Sequence, residues 1–465
     1  MTTMQIDPTG WPPGVLTTAD RERFARYDDA VRFYQGSQWR DRPRRGETRL
    51  TLNYARSLVR KVAAYVFPAP VTFSIECGPT NARTPERANQ VERILAETVT
   101  GLDLARLDIE LCIDGSVLGD AAIKVTWDAA AGCPVVAPVD PATLVVEWLP
   151  DNPRRMLTVT QVYALSGTGI ETLFAVTAAG AGRLDPVRAY PVVERWTGDR
   201  WRVEIAGQVV RDQANPYAAI PYVIVPNNPR PHAFWGESDL ADLFDVCREL
   251  NARMSGLSHV LEVSGSPIAV LENVDGSEGI SVGPGAKWEL PEGARAYLLD
   301  LLGGGGVGLH VQYVDLLYRA LHDLSETPRT AFGDAGRDLS GAALEVEVQP
   351  LIQKVQRKRR VWDAFYRQRN ALLLDFLERF GGVELYGLRQ SAAVWPSVLP
   401  SDIDGAVRNA AQLVAGGIHS RRTAVAALGG TDPDGEFARV LAERAALGGG
   451  ERGAATAAAG EAESE

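Results

Sequence analysis

The chain has four cysteines in 465 residues, Cys77, Cys112, Cys133 and Cys247, and no two of them form a CxxC pair. That spacing supports neither a disulfide framework nor a structural zinc site, and reduced, mostly buried thiols are expected. Histidine is as sparse: His232, His259, His310, His322 and His419 form no HExxH or other two-ligand spacing on one helix, so no metal site is expected. A phosphate-cradling GxxxxGK[ST] loop is missing, which argues against ATP hydrolysis. The glycines at 303–306 lack the GxGxxG pattern and read as a flexible turn. GSVLG at Gly115–Gly119 places its serine one position too early for a nucleophile elbow, so it reads as a helix-to-strand turn. No stretch approaches the roughly 18 apolar residues of a membrane span, and MTTMQIDPTGWPPG lacks the basic and then apolar run of a secretion signal. The expectation is a protein of a soluble, reducing setting with no cofactor and no identifiable catalytic residue.

What is present is enough to build a large core. Hydrophobic residues make up 45% of the chain and charged residues 23%, which places it among folded globular proteins of about two to four domain-sized units. The 59 acids outweigh 48 bases for a net charge of −11, which argues against a protein that coats nucleic acid by neutralising phosphates.

The first part reads as helices. Thr17 and Thr18 precede Asp20 and Glu22, and Phe24, Tyr27, Val31 and Tyr34 recur on one face until Gly36. A second helix is expected from Asn53 to Phe67, a third opens at Thr84-Pro85, and a fourth runs from Leu102 to Asp114. From Ala121 the period becomes that of strands, in AAIKVTW, PVVAPV, TLVVEW, LTVTQVYAL, TLFAVT, YPVVERW, WRVEIAG and PYVIVP, which predicts an antiparallel meander. TGDR at Thr197–Arg200 is the clearest hairpin signal. Pro226–Gly236 then reads as a hinge.

A long helix is expected from Glu237 to Val263, with Leu240, Leu243, Phe244, Leu250, Met254, Leu257 and Leu261 as its seam. PIAVLENV and AKWELP read as strands of a small module, and a helix from Val307 to Glu326 follows, closed by Thr327-Pro328. Arg329–Ala342 has no apolar period and reads as a mobile loop. A helix from Ala343 to Phe380 should kink at Pro350. Shorter helices follow around Asp402–Ala415, Ser420–Leu428 and Gly435–Leu447, with Asp402 and Asp404 explained by the helix dipole, and a Gly/Ala/Glu-rich tail, Gly448–Glu465, reads as disordered.

Charge is distributed unevenly. Between Gly236 and Thr327 fifteen acids face five bases, a local net of −10, whereas Arg40–Arg49 carries five arginines and Lys354–Arg360 reads KVQRKRR. Nothing in the spacing of the acids selects a general acid/base pair.

Several strings, taken in order, resemble the portal proteins of tailed double-stranded DNA bacteriophages, in the SPP1-like branch. They are YQGSQW (Tyr34–Trp39), NYARSLVRKVAAYVFPAPVTF (Asn53–Phe73), DGSVLGDAAIKVTWD (Asp114–Asp128), IPYVIVPNN (Ile220–Asn228), FWGESDLADLFDVCRELN (Phe234–Asn251), SGAALEVEVQPL (Ser340–Leu351) and GGIHSRRTAVAALG (Gly416–Gly429). The likeness spans roughly residues 20–445 and lies in the order and separation of the strings.

The resemblance implies an α+β chain that assembles as a ring of about twelve subunits at one capsid vertex, in the virion after assembly in the host cytoplasm. Its partners would be the terminase motor, a head-to-tail adaptor, the major capsid or scaffolding protein and, transiently and without specificity, double-stranded DNA, with no membrane. By the same resemblance 1–235 would be a wing, 236–263 and 307–327 the two stem helices, 264–306 a small α/β clip and 328–342 a tunnel loop. Residues 343–400 would form the long wing helix and its connection, 401–447 an α-helical crown and 448–465 the tail. Glu237, Asp239, Asp242, Asp245, Glu249, Asp315, Asp323 and Glu326 become candidates for an acidic channel lining, Arg329, Phe332, Asp334 and Arg337 for DNA-facing loop residues, and Lys287, Trp288 and Glu289 for contact with a partner at the clip. Two other readings stay open: a hydrolase with an Asp/Glu site in the β-rich region, and another ring-forming scaffold that binds DNA through KVQRKRR.

Overall fold

Thr17 accepts a hydrogen bond from the Asp20 backbone N–H at 3.1 Å while the Asp20 carboxylate accepts one from the Thr17 N–H at 3.2 Å. This reciprocal cap starts α1 (Thr18–Gln35) where the sequence places it, and Gly36 ends it at φ 106°. In the computed structural model α2 (Tyr54–Val66) begins behind the Asn53 cap and is followed by β1 (Thr72–Ile75), α3 (Pro85–Gly101) and α4 (Leu104–Leu118). The structure describes residues 11, 15–43, 45, 47–75, 85–179, 182–264, 268–273, 292–299, 306–333, 341–398, 403–428, 436, 437 and 439–441.

The β-rich region comprises β2 (Asp120–Asp128), β3 (Cys133–Val139), β4 (Leu144–Leu149), β5 (Asn152–Ser166), α5 (Gly167–Phe174), β6 (Ala178–Ala179), β7 (Gly182–Arg183), β8 (Ala189–Trp196), β9 (Arg200–Ile205), β10 (Gln208–Ala214) and β11 (Tyr222–Pro226). All of its pairings are antiparallel, but it forms separate sheets: a five-stranded one in the order β10-β9-β8-β5-β4, a three-stranded one in the order β11-β2-β3, and the short β6-β7 pair. The TGDR hairpin is present, with Trp196 opposite Trp201 and their rings stacked 4.7 Å apart. A second hairpin, between β9 and β10, turns on Ala206 and Gly207, both at positive φ, as a two-residue turn between twisted strands requires.

Then come α6 (Phe244–Ser264), β12 (Ile268–Glu272), β13 (Arg295–Leu299), α7 (Gly306–Ser325), α8 (Gly341–Glu347), α9 (Gln349–Arg379) and β14 (Ser391–Val394). β14 pairs with β1, so residues more than 300 positions apart close the first unit, which runs to Pro396. The second unit contains α10 (Ile403–Ala415) and α11 (Arg421–Ala427), which pack against each other.

Five expectations need correction. TLFAVT is not a strand: the Ser166 hydroxyl accepts from the Gly169 N–H at 3.2 Å, and Ile170 and Phe174, one turn apart, bury the face of α5 against the five-stranded sheet. α4 does not stop before Gly115 but runs through it to Gly119 at φ 104°. The first long helix starts at Phe244, seven residues later than expected, because Glu237–Leu243 is held in turns by contacts described below. Pro350 does not bend one helix but divides two, sitting in the first turn of α9 where its missing N–H costs nothing. β12 pairs with Arg295–Leu299, which was not anticipated, while the expected strand AKWELP lies outside the described residues.

A cluster of buried side chains joins α1, α2, α6 and α7 through Phe33, Leu58, Leu250 and Leu321, with Leu243 just ahead of α6. Cys112 and Cys247 are buried, and burial pushes both thiols up to about 12, so they pack as inert thiols. Among the described residues no helix is long and apolar enough to cross a membrane.

Candidate functional site

The segment that feeds into α6 is fixed before the helix begins. At Gly119 an added Cβ would stand 2.9 Å from the Glu237 carbonyl carbon and the Ser238 nitrogen, and at Gly236 one would stand 2.5 Å from the Gly119 carbonyl oxygen. Only glycine permits this crossing of two backbones. The Ser238 hydroxyl donates to the Val117 carbonyl at 2.6 Å and accepts from the Leu240 N–H at 3.0 Å. Beside the crossing, Asp120 accepts from the Gly236 N–H at 2.8 Å and from the Tyr27 hydroxyl at 2.6 Å. Burial raises its carboxyl to about 6 despite these bonds.

Asp239, expected in the channel lining, is turned inward: its side chain is only 5% exposed and lies 2.8 Å from the Lys358 ammonium of α9. Lys354, one turn earlier on α9, lies 3.8 Å away and donates to the Ser325 carbonyl at the end of α7 at 2.9 Å. The Asn228 and Asn227 amides donate to the same carboxylate at 2.9 and 3.1 Å. Burial by itself would raise the Asp239 carboxyl, but the charges of Lys358 and Lys354 override it and hold the group well below the usual carboxylate range. Burial lowers Lys354, partly offset by Asp239. The start of α6 and the end of α7 are thereby tied to one face of one helix.

The other seven acids lie at the surface. Glu237, Asp242 and Asp323 are exposed. Asp245 pairs with Arg40 at 3.0 Å and Arg248 at 3.3 Å, and Glu249 with Arg253 at 2.6 Å. Asp315 bonds Arg319 at 2.9 Å and meets Arg329 at 3.4 Å, and Glu326 pairs with Arg357. Three of these arginines, Arg40, Arg329 and Arg357, come from outside the acidic stretch, so its net of −10 overstates the charge at this surface.

α7 ends on Glu326 at φ 52°, after which the His322 ring donates from Nδ1 to the Thr327 carbonyl at 2.6 Å. A short 3-10 turn, Arg329–Phe332, folds back onto the helices. Phe332 packs edge-on to His322 at 5.6 Å, under the Lys61 ammonium, and the Arg329 guanidinium lies 4.8 Å over the Tyr318 ring. The beginning of the expected mobile loop is therefore anchored, whereas Asp334 and Arg337 lie outside the described residues, as do Lys287, Trp288 and Glu289.

KVQRKRR is a solvated cationic face only in part: Arg357 and Arg360 are exposed, the other cations are not. Lys354, Lys358 and Arg359 are buried, Arg359 donating to the Val66 carbonyl at 3.0 Å and the Pro396 carbonyl at 2.7 Å. Further along α9, Arg369 bonds Asp108 at 2.8 Å, and Tyr366 donates to the same carboxylate at 2.9 Å. The basic run was noted in the sequence but the burial of its lysines, and Arg369 itself, were not, though a signal exists: Lys354, Lys358 and Arg369 fall within the apolar stripe of Leu351, Val355, Trp362, Phe365 and Leu373.

Among the described residues no group of three or more His, Cys, Asp or Glu side chains is placed to hold a metal. A family model described as phage portal protein, SPP1 Gp6-like, matches residues 14–281 and 310–448. No curated protein matches the chain.

Proposed function

Since the chain belongs to the SPP1 Gp6-like family of phage portal proteins, we propose that its copies close into a ring in which the α6–α7 pairs surround a channel for duplex DNA at one capsid vertex. The family is one of structural proteins, and nothing supports the hydrolase alternative. The assignment of modules follows the sequence expectation: 1–235 as wing, α6 and α7 as stem, β12–β13 within the clip, Arg329–Ala342 as tunnel loop, α9 as the long helix and 401–447 as crown. Terminase, a head-to-tail adaptor and the capsid or scaffolding protein are the partners this role calls for, with Lys287, Trp288 and Glu289 offered to one of them at the clip.

The observation that carries the reading is the tie between both stem helices and α9 through Asp239, Lys354, Lys358 and Ser325. A rod about 20 Å wide, with one negative charge per roughly 1.7 Å, must slide past the stem without lodging. The tie gives the stem a fixed seat on the wing while that load passes.

Because Asp239 is inward, the acidic lining falls to Glu237, Asp242, Asp245, Glu249, Asp315, Asp323 and Glu326. Carboxylates repel the phosphates, and the arginines that accompany four of them sit in exposed pairs worth about 0–1 kcal/mol. Such an arginine touches a phosphate and returns to its acid, so no bound state is deep. Arg329, Asp334 and Arg337 would meet the duplex at the loop, whereas Phe332 packs against His322 and under Lys61 at its base. Negative-stain imaging of the purified protein tests the reading: discs with a central hole and rotational symmetry are expected, and a single copy at every concentration would refute it.

A further inference from the structure

A groove of about 380 Å³ opens on the first unit between β5, β11, the loop after it and the outer face of α9. Its floor is apolar, with Pro153, Met156, Ile224, Val361, Ala364 and Phe365. Its rim carries Arg154, Arg230, Arg360 and Arg367, together with His232. Among the described residues no acidic side chain lines it. All four arginines are exposed and, among the described residues, none makes an ion pair, although acids outnumber bases in the chain and arginines elsewhere on the surface are repeatedly paired, as Arg106, Arg253, Arg319 and Arg389 are.

We propose that this groove is a docking site for an acidic, amphipathic peptide segment of another protein, whose apolar side chain enters the groove while flanking carboxylates meet Arg154, Arg230, Arg360 and Arg367. The volume lies at the low end of ligand-sized pockets, of order 300–1,000 Å³, and takes one or two side chains rather than a folded surface. An apolar centre inside a charged rim is the anatomy of a protein interface. Arg154, Arg360 and Arg367 accept carboxylates without first breaking an ion pair, and Arg230, whose charge also acts on the buried Asp120, completes the rim. A nucleic-acid backbone has no use for the apolar floor, so the charge and the hollow together favour a peptide. The proposal is independent of the ring reading.

The test uses the full chain and a fluorescein-labelled peptide of alternating Glu and Leu or Phe, with poly-glutamate and a short DNA duplex as competitors. The peptide is expected to bind, to weaken at least tenfold in Arg360→Glu/Arg367→Glu and in Arg154→Glu, and to weaken when salt is raised to about 0.5 M. These side chains are exposed on three turns of two elements, so the variants should fold, as circular dichroism would show. Unchanged affinity in both variants overturns the proposal, and so does poly-glutamate or duplex competing as well as unlabelled peptide. Loss of assembly in the variants would also overturn it, by assigning the groove to a second copy of the chain. A wild-type protein that binds the peptide but forms no ring would count against the portal reading alone.

Discussion

Lys358→Met removes the cation nearest to the buried Asp239 carboxylate and leaves Lys354 at 3.8 Å and the Asn227 and Asn228 amides in place. Breaking one side of a buried pair costs about 3–5 kcal/mol, and the remaining partners put the expected loss near 3 kcal/mol. At roughly 2.1 cal/mol/K per residue, the first unit of 396 residues unfolds with an entropy of about 0.8 kcal/mol/K, so the melting temperature should fall by about 4 °C. Asp239→Asn/Lys358→Met removes both charges of the closer pair but leaves Lys354 buried without its acid, so only part of the loss should return and the double variant should lose less than the two singles together. The Asp239 carboxyl is held below its unfolded value, so its stabilisation is present above about pH 4 and is lost as pH falls through the folded value. The wild-type advantage should therefore hold across neutral pH and shrink only in strong acid. Scanning calorimetry of these two variants and of Asp239→Asn over pH 2–8 reads all of this. A single variant as stable as wild type, or a double variant that loses the sum of both singles, would refute the reasoning.

Asp114 is mostly buried beside Asp140 and Glu110, with one carboxylate oxygen lacking a hydrogen-bond partner, and burial and those charges raise its carboxyl to about 7. Its stabilisation is full below the unfolded value near 4 and is lost as pH rises through about 7, so Asp114→Asn should raise the melting temperature at pH 8 and flatten its pH dependence between pH 5 and 7. Gly236→Ala drives a Cβ to 2.5 Å from the Gly119 carbonyl oxygen and 2.9 Å from the Asn227 nitrogen, both backbone atoms, and should cost roughly 1–3 kcal/mol or prevent soluble expression, read from yield and thermal melts.

What could be read from the sequence was local. The Thr17–Asp20 cap, the Gly36 stop, the Asn53 cap and the Thr197–Arg200 turn each complete their hydrogen bonds within a few residues, so spacing alone reveals them. α5 and the late start of α6 were misread because their causes are distant. Ile170 and Phe174 need the sheet to bury them, and Glu237–Leu243 is held by α4 and by lysines more than a hundred residues downstream. The helices α6, α7 and α9 were legible because their apolar stripes are long. Which way an acid faces was not: Asp239 and Asp242 differ in nothing but their place around a turn, yet one is buried and the other exposed.

The buried cations of α9 also bear on synthesis. Asp108 and Asp239 are made early, whereas Arg369 and Lys358 leave the ribosome more than a hundred residues later, and β14 closes against β1 later still. Until then the nascent chain holds carboxylates that are costly to bury without their counter-charges. The surroundings of Asp108 and Asp239 are thus completed only once α9 has been made, so the last large helix of the first unit supplies what its early segments lack.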